Sequence, residues 1–323
     1  MKHTYLLFIF ATALLCSCGQ KTTEAPTAAD TCKVVFCADS AYQYVVEQCR
    51  FGARTPGSAA HQQCGDWIGE RFRALGLEVE EQAAPLTMWD AKTFQCRNII
   101  AKYNAQQLAD STTALTPVII AAHWDSRPWA DEDPDESKHN EPVMAANDGA
   151  SGVAVMLEMA RQIKEVCPRR PVHFVCFDLE DYGKDDKADS FALGAQHWAQ
   201  HNTTAYEWGI LLDMVGGRDA QFCYEGFSMR YAPWLVARTW AAAQTTGQAR
   251  FFPQRDGGFI TDDHGPMNEA GIPTIDIIPF YEQAGVSSFG PTWHTTADTP
   301  ENISKETLQA VGQTLFQLLH EHN

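Results

Sequence analysis

The chain has 323 residues, of which 45% are hydrophobic and 20% are charged, a composition typical of a globular protein with a large core. Its net charge is −17 and its pI is about 5.0, so nucleic acid and an anionic membrane surface are excluded as favoured partners. The length fits one large α/β domain or two smaller ones.

The first residues are typical of a targeting segment rather than of the folded protein. The apolar run over 5–15 is too short to span a bilayer as a mature helix. It ends in Leu15-Cys-Ser-Cys18, which resembles a bacterial lipoprotein signal that is cleaved before Cys18 and lipidated on its thiol. We therefore expect a signal peptide over 1–17, a flexible tether over 18–31, and an anchor at Cys18 that holds the protein on the periplasmic side of a bacterial membrane. An ordinary secretory signal is the alternative.

Hydrophobic periodicity and turn residues indicate alternating helices and strands from residue 32 to the end of the chain. Helices are predicted over 41–50, 61–75, 191–201, 232–245 and 304–322, with one more directly after Asp148. Strands are predicted over 77–82, 94–103, 117–122, 172–177, 208–212 and 274–278. The segments 257–266 and 288–300 are predicted as loops. No linker divides residues 32–323, which indicates one three-layer α/β domain.

Three of these apolar strands are each followed by histidine or carboxylate side chains. The strand over 172–177 precedes Asp178, Glu180 and Asp181, the strand over 117–122 precedes His123, and Asp213 follows the strand over 208–212. Ligands of open α/β sheets bind at the carboxyl ends of the strands, so this recurrence predicts a site at one edge of the sheet. Of the adjacent Glu180 and Asp181, one can bind a metal while the other acts as general base.

Further polar residues in glycine-rich loops extend the candidate set. The full set is His123, Asp148, Glu180, Asp181, Asp213, Asp262, Asp263, His264 and His294. Histidine and carboxylates without cysteine are the ligands of catalytic zinc, which keeps one coordination position open for substrate. Each residue taken alone also has a structural interpretation: His123 as a core histidine, Asp148 as a helix N-cap and Asp213 as a strand-end cap.

Seven short segments, in this order, together resemble the family of zinc aminopeptidases and glutaminyl-peptide cyclotransferases. They are His123-Trp-Asp-Ser126, Ala146-Asn-Asp148-Gly-Ala-Ser-Gly152, Phe177-Asp-Leu-Glu180-Asp181, Leu212-Asp213-Met, Asp262-Asp-His264, Gly271-Ile-Pro273 and Trp293-His-Thr295. The resemblance implies a three-layer αβα sandwich with a central mixed, mostly parallel sheet.

Two branches of the family imply different site assignments. The cyclotransferase branch implies one zinc ion on Asp148, Asp181 and His294, with Glu180 as the acid/base. It also implies a carboxylate network of Asp213 and Asp262, and a glutamine pocket lined by Trp293 and Ile260. The aminopeptidase branch implies two zinc ions, which His123 and Asp213 would help to bind, with Glu180 as the base.

The sequence favours the cyclotransferase branch, because Asp262 stands where aminopeptidases have serine and because Trp293 directly precedes the zinc histidine. We therefore expect an enzyme that cyclises the N-terminal glutamine of peptides and exported proteins to pyroglutamate, with release of ammonia. Two departures from animal cyclotransferases are Asp181, where they have glutamate, and Asp276, where they have histidine. A lipid-anchored binding protein with an inactive peptidase fold is the third hypothesis.

Overall fold

The computed structural model describes residues 31–104, 115–184, 186–283 and 287–321. From Thr31 onward the chain forms one compact unit. The predicted signal peptide, the lipidation site at Cys18 and nearly all of the predicted tether lie outside the described residues. Within the described ranges, no helix combines the length and the apolar character that crossing a membrane requires.

The order of helices and strands follows the predicted alternation. The helices are α1 (Ala38–Cys49), α2 (Ala59–Ala74), α3 (Ala150–Val166), α4 (Leu193–His201), α5 (Gly226–Tyr231), α6 (Pro233–Thr245), α7 (His264–Glu269) and α8 (Lys305–His320). The strands are β1 (Glu78–Thr87), β2 (Thr93–Tyr103), β3 (Val118–His123), β4 (Val172–Phe177), β5 (Gly209–Leu212) and β6 (Thr274–Ile277).

The six strands form one mixed sheet in the order β1-β2-β4-β3-β5-β6. The pairs β1–β2 and β2–β4 are antiparallel, whereas β4–β3, β3–β5 and β5–β6 are parallel. The prediction of a mixed, mostly parallel sheet is therefore confirmed. The carboxyl ends of β3, β4, β5 and β6 lie along the same edge, and this edge carries the candidate residues.

Side chains of the central strands alternate between two apolar layers, as the strand period of two requires. One layer joins Ile120, Phe174 and Ile210 to helices α1, α2, α3, α6 and α8. The other joins Ile119 and Val175 to α4 and α7. Because helices cover both faces, the strands are buried on both sides, and this explains their nearly continuous apolar sequence.

Two helices were missed in the sequence. The structure starts α7 at His264, inside the segment 257–266 that was predicted as a loop, and α5 precedes the predicted helix over 232–245. Both have six residues, and α7 contains Gly265 and Pro266, so neither shows an apolar period. Glu225 is the N-cap of α5, and its side chain accepts hydrogen bonds from the backbone N–H groups of Phe227 and Ser228.

All eight cysteines among the described residues are free. Cys176 lies buried in the middle of β4, as its position in an apolar strand predicts. Cys167, which ends α3, is exposed. The fold in the described ranges is therefore held by packing and hydrogen bonds without disulfides.

Candidate active site

The histidine and carboxylate residues that follow three strands in the sequence lie close together in the structure. β3 ends at His123, β4 leads into the turn that carries Glu180 and Asp181, and β5 leads into Asp213. β3 lies between β4 and β5 and is parallel to both, so the three ends meet at one edge. The structure thus confirms that this edge gathers the acidic and histidine side chains.

Two groups of buried side chains at this edge have ligand atoms close enough to hold a metal ion. In the first group, Asp148, Asp181 and His294 each offer one atom within 4.8 Å of the others. His294 Nε2 lies 3.2 Å from Asp181 Oδ1 and 3.7 Å from Asp148 Oδ2. These are the three residues predicted to bind zinc in the cyclotransferase branch.

The second group consists of His123, Asp148 and Asp213. His123 Nε2 lies 2.9 Å from Asp148 Oδ1 and 3.3 Å from Asp213 Oδ1. Asp148 belongs to both groups, with one oxygen toward each. The arrangement is therefore that of two adjacent cation sites that share a carboxylate.

The donor atoms of both groups suit a divalent cation. Asp181 Oδ2 and Asp213 Oδ1 are buried and have no hydrogen-bond partner among the described residues. A buried carboxylate oxygen without a partner is costly, and a cation removes that cost. Histidine and carboxylate ligands of this kind suit zinc in an open, catalytic coordination.

Glycines let the N-terminal end of α3 pack closely against the strand ends. A Cβ on Gly149 would lie 2.4 Å from the backbone oxygen of His123, and one on Gly152 would lie 2.3 Å from that of Leu212. Gly149, rather than Asp148, is the N-cap of α3. The interpretation of Asp148 as a simple N-cap is therefore wrong, and its side chain faces the metal-ligand groups.

Buried polar side chains fix the segment that carries Asp148. The Asp298 carboxylate accepts hydrogen bonds from the backbone N–H groups of Asn147 and Asp148, at 2.8 and 3.1 Å. The buried Arg54 donates to the backbone carbonyl of Ala145 at 2.7 Å. Arg54 lies in the loop between α1 and α2, and its observed role is to hold this segment.

Asp125 fixes the turn after β4. Its two carboxylate oxygens accept from the backbone N–H groups of Glu180 and Asp181, at 3.1 and 3.2 Å. Leu179 adopts a left-handed conformation with φ of 57° in the same turn. Asp181 belongs to the first metal-ligand group and Glu180 to neither, so the turn gives the two neighbouring carboxylates different positions in the site.

Arg127 is a buried cation beside the first group, with 2% of its side chain exposed. It donates at 3.1 Å to Asp181 Oδ1 and makes two bonds of 2.7 and 2.6 Å to Asp131. Asp131 Oδ1 in turn lies 3.6 Å from His294 Nδ1. One arginine therefore positions Asp181 directly and approaches His294 through Asp131.

Burial shifts the pKa values of the cavity carboxyls upward. It raises the pKa of Glu180 well above its usual range and that of Asp213 to about 6. Burial, and then the charge of Asp213, raise the pKa of Asp262 to about 7. Neighbouring buried carboxyl groups without a nearby positive charge resist ionisation, so this cavity favours the binding of a proton or a cation.

One cavity of about 350 Å³ contains all eight residues of the predicted cyclotransferase site. They are Asp148, Glu180, Asp181, Asp213, Ile260, Asp262, Trp293 and His294. The Trp293 ring stacks on the His294 ring, with centroids 3.8 Å apart. Phe259 and Phe289 add aromatic surface to the lining of this cavity.

Three of the sequence candidates, His123, Asp263 and His264, do not line this cavity. His264 Nε2 is 3.2 Å from Glu225 Oε2, and Asp263 is completely buried. His264 forms a third buried group with Asp262 and Asp276. Arg127, Asp131 and Asp298 were not among the sequence candidates, although the first two lie in the segment between His123 and Asp148.

Comparison with known proteins identifies the class to which this fold and site belong. The model of peptidase family M28 matches residues 98–319, and the chain belongs to that family. A curated relative, aminopeptidase YwaD of Bacillus subtilis, is 30% identical over 214 residues. That match covers 63% of this chain and only 40% of the relative's length.

Two solved structures are similar over nearly their whole length. The glutaminyl cyclase of Bacteroides thetaiotaomicron, bound to N-acetylhistamine, is 39% identical with a TM-score of 0.85, and the match covers 90% of this chain and 99% of that one. A zinc-dependent exopeptidase from Parabacteroides distasonis is 41% identical with a TM-score of 0.84, over 90% and 99% of the two chains. The family and the exopeptidase neighbour agree with zinc at the ligand groups.

Proposed function

We propose that the chain is a glutaminyl-peptide cyclotransferase, which converts the N-terminal glutamine of peptides to pyroglutamate and releases ammonia. The observation that carries the proposal is the 350 Å³ cavity, in which a metal-ligand group, a separate glutamate and an aromatic wall meet. The similarity to a bacterial glutaminyl cyclase over 90% of the chain supports it.

In this proposal Asp148, Asp181 and His294 would hold one zinc ion, which would act as a Lewis acid toward the γ-amide carbonyl. The α-amine attacks the carbonyl carbon of the γ-amide, a new carbon–nitrogen bond closes the ring, and the bond from that carbon to the amide nitrogen breaks. Glu180 takes a proton from the amine and delivers it to the departing ammonia. Its place in the cavity outside both ligand groups leaves it available for that transfer.

The cavity walls supply the positioning. Because the attack is intramolecular, holding the glutamine side chain folded back provides effective concentrations on the order of 10⁵–10⁸ M. Trp293 and Ile260 form the apolar surfaces against which the folded side chain packs. Asp213 and Asp262, with their raised pKa values, share protons and bind the amide nitrogen.

A second candidate function is that of a dizinc aminopeptidase. The observation that favours it is the second ligand group, in which His123 and Asp213 approach the free side of Asp148. Against it stand Asp262, an additional carboxylate in the cavity, and the Trp293 wall, which narrows the room for varied side chains.

One experiment separates these functions. The purified chain is incubated with a Gln-peptide and with an amino-acid anilide, and its metal content is counted by mass spectrometry. We expect ammonia and pyroglutamyl peptide with one zinc per chain. Hydrolysis of the anilide with two zinc ions would establish the aminopeptidase instead, and no turnover with no metal would indicate an inactive binding protein.

We further propose that Cys18 anchors the chain on the periplasmic side of a bacterial membrane, where exported peptides and proteins with N-terminal glutamine are its substrates. The support is the sequence Leu15-Cys-Ser-Cys18 after an apolar run. Cys18→Ala should abolish lipid labelling and move the protein from the membrane fraction to the soluble one. Unchanged processing and fractionation would contradict the anchor.

A further inference from the structure

A second, larger cavity adjoins the active-site cavity. Its volume is about 560 Å³, which is within the range of about 300–1,000 Å³ typical of ligand pockets. Both cavities are lined by Ala188, Phe191, Ile260, Thr261 and Asp262. The two cavities therefore share part of their lining, and we call the larger one the side groove.

The side groove lies between helices α4, α5 and α7 and combines apolar surfaces with acidic side chains. Phe191, Phe227 and Tyr231 supply aromatic surface, and Tyr231 is 42% exposed. Asp189 and Glu269 are exposed carboxylates along the same groove. None of the described residues that line it is basic. Arg230 contacts the outer Tyr231 ring at 5.7 Å but is not part of the lining.

A peptide substrate of a cyclotransferase needs space outside the active-site cavity for the residues that follow its N-terminal glutamine. In the proposed function the N-terminal glutamine reacts in the inner cavity, and its α-carbonyl carries the rest of the peptide. Ile260 and Asp262 line both spaces, so a chain that leaves the glutamine pocket past them enters the side groove without crossing the metal ligands.

We propose that the side groove binds the residues that follow the N-terminal glutamine, and that it selects basic and apolar side chains over acidic ones. This inference rests on the proposed cyclotransferase function. Its basis is the lining that the two cavities share, together with the carboxylates Asp189 and Glu269, which attract a lysine or arginine and repel a glutamate. The aromatic surfaces of the groove pack against the aliphatic part of a lysine or arginine side chain.

The test compares three substrates of the full chain: glutamine amide, Gln-Ala-Lys-Ala-amide and Gln-Ala-Glu-Ala-amide. We expect a higher kcat/KM for the lysine peptide than for the glutamate peptide, by about two- to fivefold for each groove carboxylate, the range of exposed ion pairs. The ratio should fall as salt is added, because salt screens exposed charges.

Two variants locate the effect. The double variant Asp189→Asn/Glu269→Gln should bring the lysine-to-glutamate ratio close to one. Asp39→Asn/Glu306→Gln removes the same charge from exposed ion pairs on α1 and α8 and should keep the wild-type ratio. Ala270→Trp, at an exposed groove position, should raise the KM of both peptides relative to that of glutamine amide.

The outcomes test the side-groove proposal separately from the proposed cyclotransferase function. Two results would overturn the proposal for the side groove and leave the cyclotransferase function intact. One is cyclisation of glutamine amide with equal kcat/KM for the lysine and glutamate peptides. The other is a lysine-to-glutamate ratio of kcat/KM that stays at the wild-type value in Asp189→Asn/Glu269→Gln. Failure to cyclise any of the three substrates overturns the cyclotransferase, and the groove proposal falls with it.

Discussion

The two walls of the active-site cavity are built in different ways. On one wall, Asp148, Asp181 and His294 are buried side chains that hydrogen bonds and ion pairs from deeper residues hold in place. On the other, Phe259 and Ile260 come from a loop, and 69% of Phe259 is exposed. Asp181 follows strand β4, Asp148 directly precedes α3 and His294 lies in a turn between β6 and α8, whereas Phe259 and Ile260 lie in the loop between α6 and α7.

This difference indicates how the fold divides its work. Buried charges need complete networks of partners, since each unpaired one costs stability, and the hydrogen bonds of Asp298 and Arg127 supply part of this network. Apolar loop side chains need no such partners, so they can vary without unfolding the protein. We therefore expect changes in the ligand wall to affect metal and catalysis, and changes in the loop wall to affect substrate preference.

The largest expected effect comes from the ligand wall. Asp181→Asn keeps the shape of the side chain but removes its charge, so zinc and cyclase activity should be lost together. Metal analysis and Gln-peptide turnover on the same sample measure both. Asp66→Asn, a similar change at an exposed surface carboxylate, is the control. Retained zinc in Asp181→Asn would place the ion on His123, Asp148 and Asp213 instead.

Glu180→Gln should give the next largest effect, with catalysis lost while zinc stays bound. A positioned acid/base contributes about 10²–10⁴-fold, so kcat for a Gln-peptide should fall by that order. The comparison with Asp181→Asn is the check, because the two residues are adjacent. Zinc loss in Glu180→Gln with zinc retention in Asp181→Asn would reverse the two roles.

Arg127→Met tests whether the cation behind the ligands matters. It removes the donor to Asp181 Oδ1 and leaves Asp131 without its partner. Loss of such outer contacts typically weakens metal binding by about 10–100-fold, which a competing chelator measures without turnover. Arg161→Met breaks a comparable arginine–carboxylate pair at a half-exposed arginine, and its zinc affinity should be unchanged. Equal affinities in the two variants would contradict the role of Arg127.

Glu225→Gln gives the smallest effect and acts on the loop wall. Burial raises the pKa of Glu225, but His264 and the N–H groups of Phe227 and Ser228 outweigh this and lower it to about 2. Glu225 also accepts from the backbone N–H of Ile260 at 3.1 Å. Because the pKa of Glu225 is lower in the folded protein than the value of about 4.3 in the unfolded chain, its ionised form stabilises the fold at any pH above about 4.3. This stabilisation is lost as the pH falls toward 2.

We therefore expect Glu225→Gln to lower the free energy of unfolding at pH 7 by about 3 kcal/mol. The difference from wild type should shrink as the pH falls from about 4 to 2. Urea unfolding at pH 7 and pH 3 measures both values. A difference that does not change with pH would mean that Glu225 acts through shape alone.

The sequence predicted the strands and the strand-end residues because local patterns encode them. An apolar run such as the one over 172–177 marks a buried strand, and the polar residue that follows it marks the edge of the sheet. The buried role of Arg127 was not predictable, since an arginine between a serine and a proline in an acidic loop is normally exposed. Helices α5 and α7 were not predicted because tertiary contacts, rather than a periodic pattern of apolar residues, determine them.

The free thiols of this fold have a consequence for handling and labelling the protein. Because no disulfide closes within the described ranges, a reductant should leave the folded domain unchanged, and refolding requires no oxidant. Six of the eight thiols are buried, Cys37 is partly covered and Cys167 is exposed at the end of α3. Burial raises the pKa of the Cys64, Cys96 and Cys176 thiols, which slows their reaction with electrophiles. Cys167 is thus a natural attachment point for a fluorophore or a surface, at the opposite end of α3 from Asp148 and the zinc ligands.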